Sequence, residues 1–240
     1  MLRTPQTFKG SAAEIGVHHG KSFVVLASRN EVSYAIDIFD MQEHNTDNSG
    51  SGDLKAFQNN LRQFGIPENH VTIDKRMSGD VSAYDITKRV GPVRFFHIDG
   101  GHHLNAIQHD VQLAIENSAP HGVIVIDDMF RPEWPEVSQG VFTSGHLNDS
   151  NFVLFAVGFN KSYWCRREFV DQFQQALIEN AFLGALVSSR YQSENSNLLV
   201  FQTYPQPEWS FGEVTRWLFE LYFPNALHKA VSLRRRLRRR

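Results

Sequence analysis

Apolar residues in the first half of the chain come in short runs, and the period switches between two and about 3.6. Ser11–Val17 (S-A-A-E-I-G-V) and Val32–Ile38 (V-S-Y-A-I-D-I) read as strands, the first entering a glycine turn at His18–Gly20. Lys21–Ser28 reads as the start of a helix. Leu54, Phe57, Leu61 and Phe64 recur at helical spacing between Asp53, a predicted N-cap, and Gly65, a predicted stop. His70–Asp74 predicts a third strand and Asp80–Arg89 a further helical segment. Val93–Ile98 and Val123–Ile126 are β-branched and aromatic, with Arg94 as their one charge, as strands buried on both faces are. Between them, Ile107, Val111, Ala114 and Ile115 predict a helix over Leu104–Asn117.

Strand, helix, strand is a right-handed crossover that leaves the two strands parallel. Its repetition through Asp128 predicts an α/β fold, a doubly wound, Rossmann-like, mostly parallel seven-stranded sheet. Met129–Val137 holds two prolines and two aromatics, so it is expected to be irregular. Asn151–Phe159 reads as a strand and Arg166–Leu186 as a long helix broken near Gly184. Asn197–Thr203 reads as the last strand, so the sheet is expected to close with one antiparallel member near its C-terminal end. Residues 1–204 then form one domain. Residues 205–240 form an aromatic segment with Trp209, Phe211, Trp217 and Phe219, suited to packing on the sheet, to a subunit contact or to a substrate lid.

Composition narrows the picture at three points. One cysteine, Cys165, excludes an intrachain disulfide and suits a reducing, cytoplasmic setting. No apolar run approaches the roughly 20 residues of a membrane span. The net charge of -2 hides an asymmetry, because Arg234–Arg240 contains six arginines. Removing them leaves 18 basic residues against 26 acidic ones, a balance of -8. Such a tail is a solvated terminus or a contact for an anionic surface. It lacks the interleaved aromatics that nucleic-acid binding favours, so no nucleic acid is expected.

Candidate chemistry collects where parallel strands end, the edge at which open α/β sheets bind ligands. Asp99 follows one predicted strand, and Asp127 and Asp128 follow the next. Acids after strands also serve as ordinary helix caps. Three converging carboxylates, however, need a positive group among them, and Mg²⁺ is a hard cation that takes a few carboxylates plus water. At the first strand, Glu14, Gly16 and Gly20 do not make the dinucleotide pattern G-x-G-x-x-G. An acid there suits a ligand with an ammonium or sulfonium, and Asp37, at the end of the next strand, suits ribose hydroxyls. Nucleoside and amino acid joined through a positive sulfur describe S-adenosylmethionine.

The stretches E-I-G-V-H-H-G-K-S, A-I-D-I-F-D, H-I-D-G-G-H-H and V-I-D-D-M-F-R-P-E-W-P resemble class I S-adenosylmethionine-dependent methyltransferases. Among these the chain is most similar to metal-dependent O-methyltransferases of sugar hydroxyls, the mycinamicin and macrocin type. The likeness covers Ala12–Trp134 well and Asn151–Thr203 loosely. It implies Mg²⁺ (or Mn²⁺) on Asp99, Asp127 and Asp128, and His102 as general base. It also implies cofactor contacts from Glu14, Gly16, Gly20, Asp37 and Asp99, with adenine near Met77–Asp80 and hence Ser78. Phe130 and Trp134 are candidates for stacking on a sugar face, or for packing their loop on the domain. His97 is expected to be a core or supporting residue, and His18 and His19 to shape the cofactor turn. A homo-oligomer and a peripheral anionic contact through the tail are the expected partners. Relatives of this type commonly carry elements before the first strand, whereas here that strand begins about ten residues in. Alternatives are a catechol-type phenol O-methyltransferase, a nicotinamide-dependent oxidoreductase and a non-catalytic nucleoside-binding domain.

Overall fold

The computed structural model describes residues 8–187, 198–201 and 211–222. The first half follows the apolar runs. It comprises β1 (Ser11–Ile15), α1 (Phe23–Ala27), β2 (Ser33–Asp37), α2 (Leu54–Gln63), β3 (Val71–Lys75), α3 (Ala83–Val90), β4 (Val93–Ile98), α4 (Leu104–Asn117) and β5 (Ser118–Asp127). Asp53 caps α2 as expected, accepting the Ala56 N–H at 2.6 Å. Ser82, not Asp80, starts α3, through a capping box with Asp85. The fifth strand begins five residues before its apolar run.

Then come α5 (Pro135–Ser144), α6 (His146–Asp149), β6 (Phe152–Gly158), β7 (Lys161–Arg166), α7 (Val170–Glu179), α8 (Ala181–Ala185), β8 (Leu199–Val200) and α9 (Phe211–Tyr222). The long helix predicted over Arg166–Leu186 is corrected here. Arg166 ends β7, the helix opens at Val170, and it breaks at Asn180, whose side chain accepts the Phe182 and Leu183 N–H groups and caps α8. The rest of the predicted last strand and the Arg234–Arg240 tail lie outside the described residues.

Among the described residues the sheet has eight strands in the order β3-β2-β1-β4-β5-β7-β6-β8, one more than expected. β7 is antiparallel to both neighbours, and β8 runs parallel to β6. Its two faces alternate along each strand. Phe96, Ile98, Ile124, Ile126 and Trp164 face a core closed by α3, α4 and α5. Val123, Val125, Cys165 and Phe155 face α7, and a third cluster joins α1 and α2 to β2. Strand order reverses between β1 and β4, so the crevice beyond their carboxyl ends is the expected ligand position. Among the described residues no helix is long and apolar enough to cross a membrane.

Candidate functional site

A cavity of about 450 Å³ opens at that reversal. Its wall includes Gly16 after β1, Asp37 at the end of β2, Ser78 after β3, and Asp99 after β4. Four of the six expected cofactor positions therefore meet at one place. Gly16 has φ +81°, and a Cβ there would stand 1.8 Å from the Asp99 carbonyl oxygen. The absent side chain lets the two strand ends close, with the Asp99 N–H on the Ile15 carbonyl at 2.9 Å. Asp37 accepts the His18 N–H at 2.8 Å and the Phe39 N–H. Each oxygen keeps a second lone pair for a ligand. Ser78 is pinned by its carbonyl, 2.9 Å from His109 Nε2 on α4.

The other two positions stand behind the wall. Gly20 packs on α2, where a Cβ would meet the Phe57 ring at 2.8 Å. Glu14 is fully buried. Its Oε1 accepts from Ser22 and lies 2.8 Å from His97 Nδ1, while Oε2 has no hydrogen-bond partner. The partner that Glu14 meets is thus inside the protein, the His97 ring. His97 is buried as expected. Its Nε2 lies 3.1 Å from Lys161 Nζ, which in turn pairs with Asp127. Neither Lys161 nor the strand that carries it was legible in the sequence.

Asp99 sits in this charged neighbourhood. Burial, and next the charge of Asp127, push its pKa up to about 6, against the pull of His97 and Lys161. Asp128 is held with φ 55° and is buried. It accepts from Asn160, lies 3.4 Å from Arg131 and 3.1 Å from His102 Nε2. Among the described residues, Glu14, His97 and Asp99 form a group whose ligand atoms all lie within 4.8 Å of one another.

His102 has its other ring nitrogen, Nδ1, 2.8 Å from Asp47 Oδ2. Its ring stacks on Trp134, with centroids 4.2 Å apart and planes 12° apart. One face of Trp134 is therefore taken by the protein, whereas Phe130 is exposed. Asp47 is a further residue that sequence reasoning missed. It stands in a polar loop with no periodic signal, 55 positions from its partner.

Beneath the cavity, Asp110 on α4 is fully buried with neither oxygen hydrogen-bonded. Burial raises its pKa to about 7, despite Ser78 and His109 close by. The folded state therefore holds this proton more tightly than the unfolded chain. The linked stability is present at low pH and is lost as pH rises toward about 7. Asp110→Asn should raise the melting temperature at pH 8 by at least about 2 °C. The gain should shrink as pH falls toward 5 in parallel thermal melts. A constant difference at both pH values would show that Asp110 carries no linked proton.

A family model described as a methyltransferase domain matches residues 13–129. The match spans just under half of the chain. The matched span holds every strand end that walls the cavity. The solved structure of the O-methyltransferase NovP superposes on this chain with a TM-score of 0.56 at 14% identity, covering 66% of this chain and 72% of that one. The apo structure of CalS11, a TDP-rhamnose 3'-O-methyltransferase, gives a TM-score of 0.48 at 10% identity, again over 66% and 72%. At 14% identity the likeness to NovP is one of fold. No curated protein sequence matches the chain.

Proposed function

We propose that the chain is an S-adenosylmethionine-dependent O-methyltransferase that methylates a hydroxyl of a sugar or glycosylated acceptor with the help of Mg²⁺ or Mn²⁺. One observation carries this reading. A single strand edge gathers a cavity walled by Gly16, Asp37, Ser78 and Asp99, with Asp127, Asp128 and His102 next in the fold. A volume of about 450 Å³ is within the usual range for small-molecule sites. That the fold neighbour NovP is an O-methyltransferase agrees with oxygen as the acceptor atom.

Methyl transfer from a sulfonium to a hydroxyl needs the oxygen aligned with the methyl and its proton removed. Asp37 holds the ribose, and the Gly16 turn lets the cofactor approach the backbone. Asp99, Asp127 and Asp128 offer hard oxygen donors. Burial and the neighbouring Asp127 disfavour the charged form of Asp99, and a dication there would offset both; among the described residues the ligand atoms within 4.8 Å of one another are those of Glu14, His97 and Asp99, and Asp127 is paired with Lys161. When bound there, the ion supplies a lowered pKa for the acceptor hydroxyl. His102 takes the hydroxyl proton at Nε2. Phe130 and the free face of Trp134 flank the sugar.

The test is transfer of label from S-adenosylmethionine to a panel of glycosylated acceptors. Transfer should stop with a chelator and return with Mg²⁺. His102→Ala should lower kcat by about 10²- to 10⁴-fold while S-adenosylhomocysteine still binds in calorimetry. Transfer indifferent to chelation would remove the metal from the scheme. Binding of NAD in place of S-adenosylhomocysteine would remove methyl transfer altogether.

A further inference from the structure

We propose that Asp47 is a positioning residue for His102, and that it makes the alignment of this imidazole depend on an occupied cofactor cavity. The inference rests on the methyl-transfer reading of the same edge.

Asn45, Asp47, Asn48, Ser49, Gly50 and Gly52 make a stretch whose side chains belong in water. The Asp47 side chain is instead only 5% exposed, against a His102 side chain 10% exposed. Asn48, at φ 56°, turns the chain back, so that the Ser49 N–H reaches Asp47 Oδ1 at 3.0 Å. Oδ2 takes the His102 N–H at 2.9 Å and the ring Nδ1 at 2.8 Å. Burial works against this carboxylate, but the hydrogen bonds from Ser49 and His102 outweigh it and hold the pKa at about 2. It therefore stays ionised at every working pH.

One carboxylate on both the N–H and the ring of one residue fixes the chain and the ring rotation together. Trp134, stacked on the ring, removes the remaining tilt. Asp47 thus fixes the Nδ1 side of the ring, and Nε2 faces the edge, 3.1 Å from Asp128 Oδ2. Each ring nitrogen has a carboxylate oxygen within 3.1 Å. This is how a third group makes an imidazole an effective base.

The same loop walls the cavity through Gln42, Asn45, Asp47, Ser49 and Gly50. It is braced internally, Asn45 Nδ2 donating to the Gly50 carbonyl at 2.7 Å and to Gln42 at 2.9 Å. A ligand in the cavity touches this loop and so favours the conformation in which Asp47 meets His102. An opened loop loses that contact and frees the ring. Coupling of this kind needs only one segment whose order both sites share.

The experiment compares the full chain with Asp47→Asn, His102→Gln and the double variant. In wild type, S-adenosylhomocysteine should slow exchange of the His102 Nδ1 proton in ¹⁵N-histidine spectra, and in Asp47→Asn it should not. With an acceptor, Asp47→Asn should lower kcat by about 10- to 100-fold, less than the whole of general-base help, with acceptor KM within about threefold. The double variant should be no slower than His102→Gln alone, because the two act as one unit. Multiplying losses, or a ring proton equally protected in Asp47→Asn, would overturn the proposal. If S-adenosylhomocysteine binds and no hydroxyl is methylated, the functional reading fails, and the imidazole spectrum still decides the role of Asp47.

Discussion

Gly16→Ala is expected to abolish S-adenosylhomocysteine binding and to remove most of the folded population. Two costs add at this position. The residue has φ +81°, where an L side chain is strained by about 1–2 kcal/mol. The new Cβ would also stand 1.8 Å from the Asp99 oxygen and 2.4 Å from its carbonyl carbon. Both are backbone, so relief requires parting β1 from β4 at the very point where strand order reverses. Losses beyond about 4 kcal/mol belong to such cases. Gly65→Ala separates the two costs. Gly65 has φ +68° and nothing within 4 Å of a built Cβ, so it carries the conformational cost alone. Thermal melts should show a modest drop for Gly65→Ala and a collapse for Gly16→Ala. Melting temperatures within about 2 °C of each other would mean that the β1–β4 seam yields easily and does not define the cavity.

The contrast between these glycines also shows what the sequence could display. Gly16 was legible because an acid, a glycine and a strand end fall together in Glu14–Gly16 and announce a turn beneath a ligand. The crossover from β4 through α4 to β5 was legible because burial on both faces leaves an unbroken apolar run. The strand β7 was hidden for the opposite reason. Lys161 and Arg166 charge its ends. Its hairpin turn is Phe159-Asn160, both at positive φ, with the nearby glycine, Gly158, before the turn and not in it. The alternation that places Trp164 in one core and Cys165 in another spans only six residues and merges into the helical spacing that follows. Losing that strand concealed Lys161, and with it the cation beside Asp127. Asp47 was hidden because its role lies in a contact across 55 positions, and composition reports only that its loop is polar.

Lys161 gives Asp127 two duties, and substitution should separate them. Asp127 balances the ammonium of Lys161, which also lies 3.1 Å from His97 Nε2. On the proposed reading it is also one of the edge acids. Asp127→Ala should therefore lose stability as well as methyl transfer. Breaking a fully buried pair costs roughly 3–5 kcal/mol. The Lys161 side chain is 26% exposed and can reach water, and Asp99 remains nearby as a second counter-charge. A loss of about 1–3 kcal/mol is thus expected, a fall of several degrees in melting temperature. Adding Lys161→Met removes the stranded charge and should restore most of the melting temperature, because the two sites are directly coupled. Methyl transfer should not return, since an edge acid is still missing. Activity recovered in Asp127→Ala/Lys161→Met would show that Asp127 serves only to hold Lys161, and the three-acid site would have to be given up.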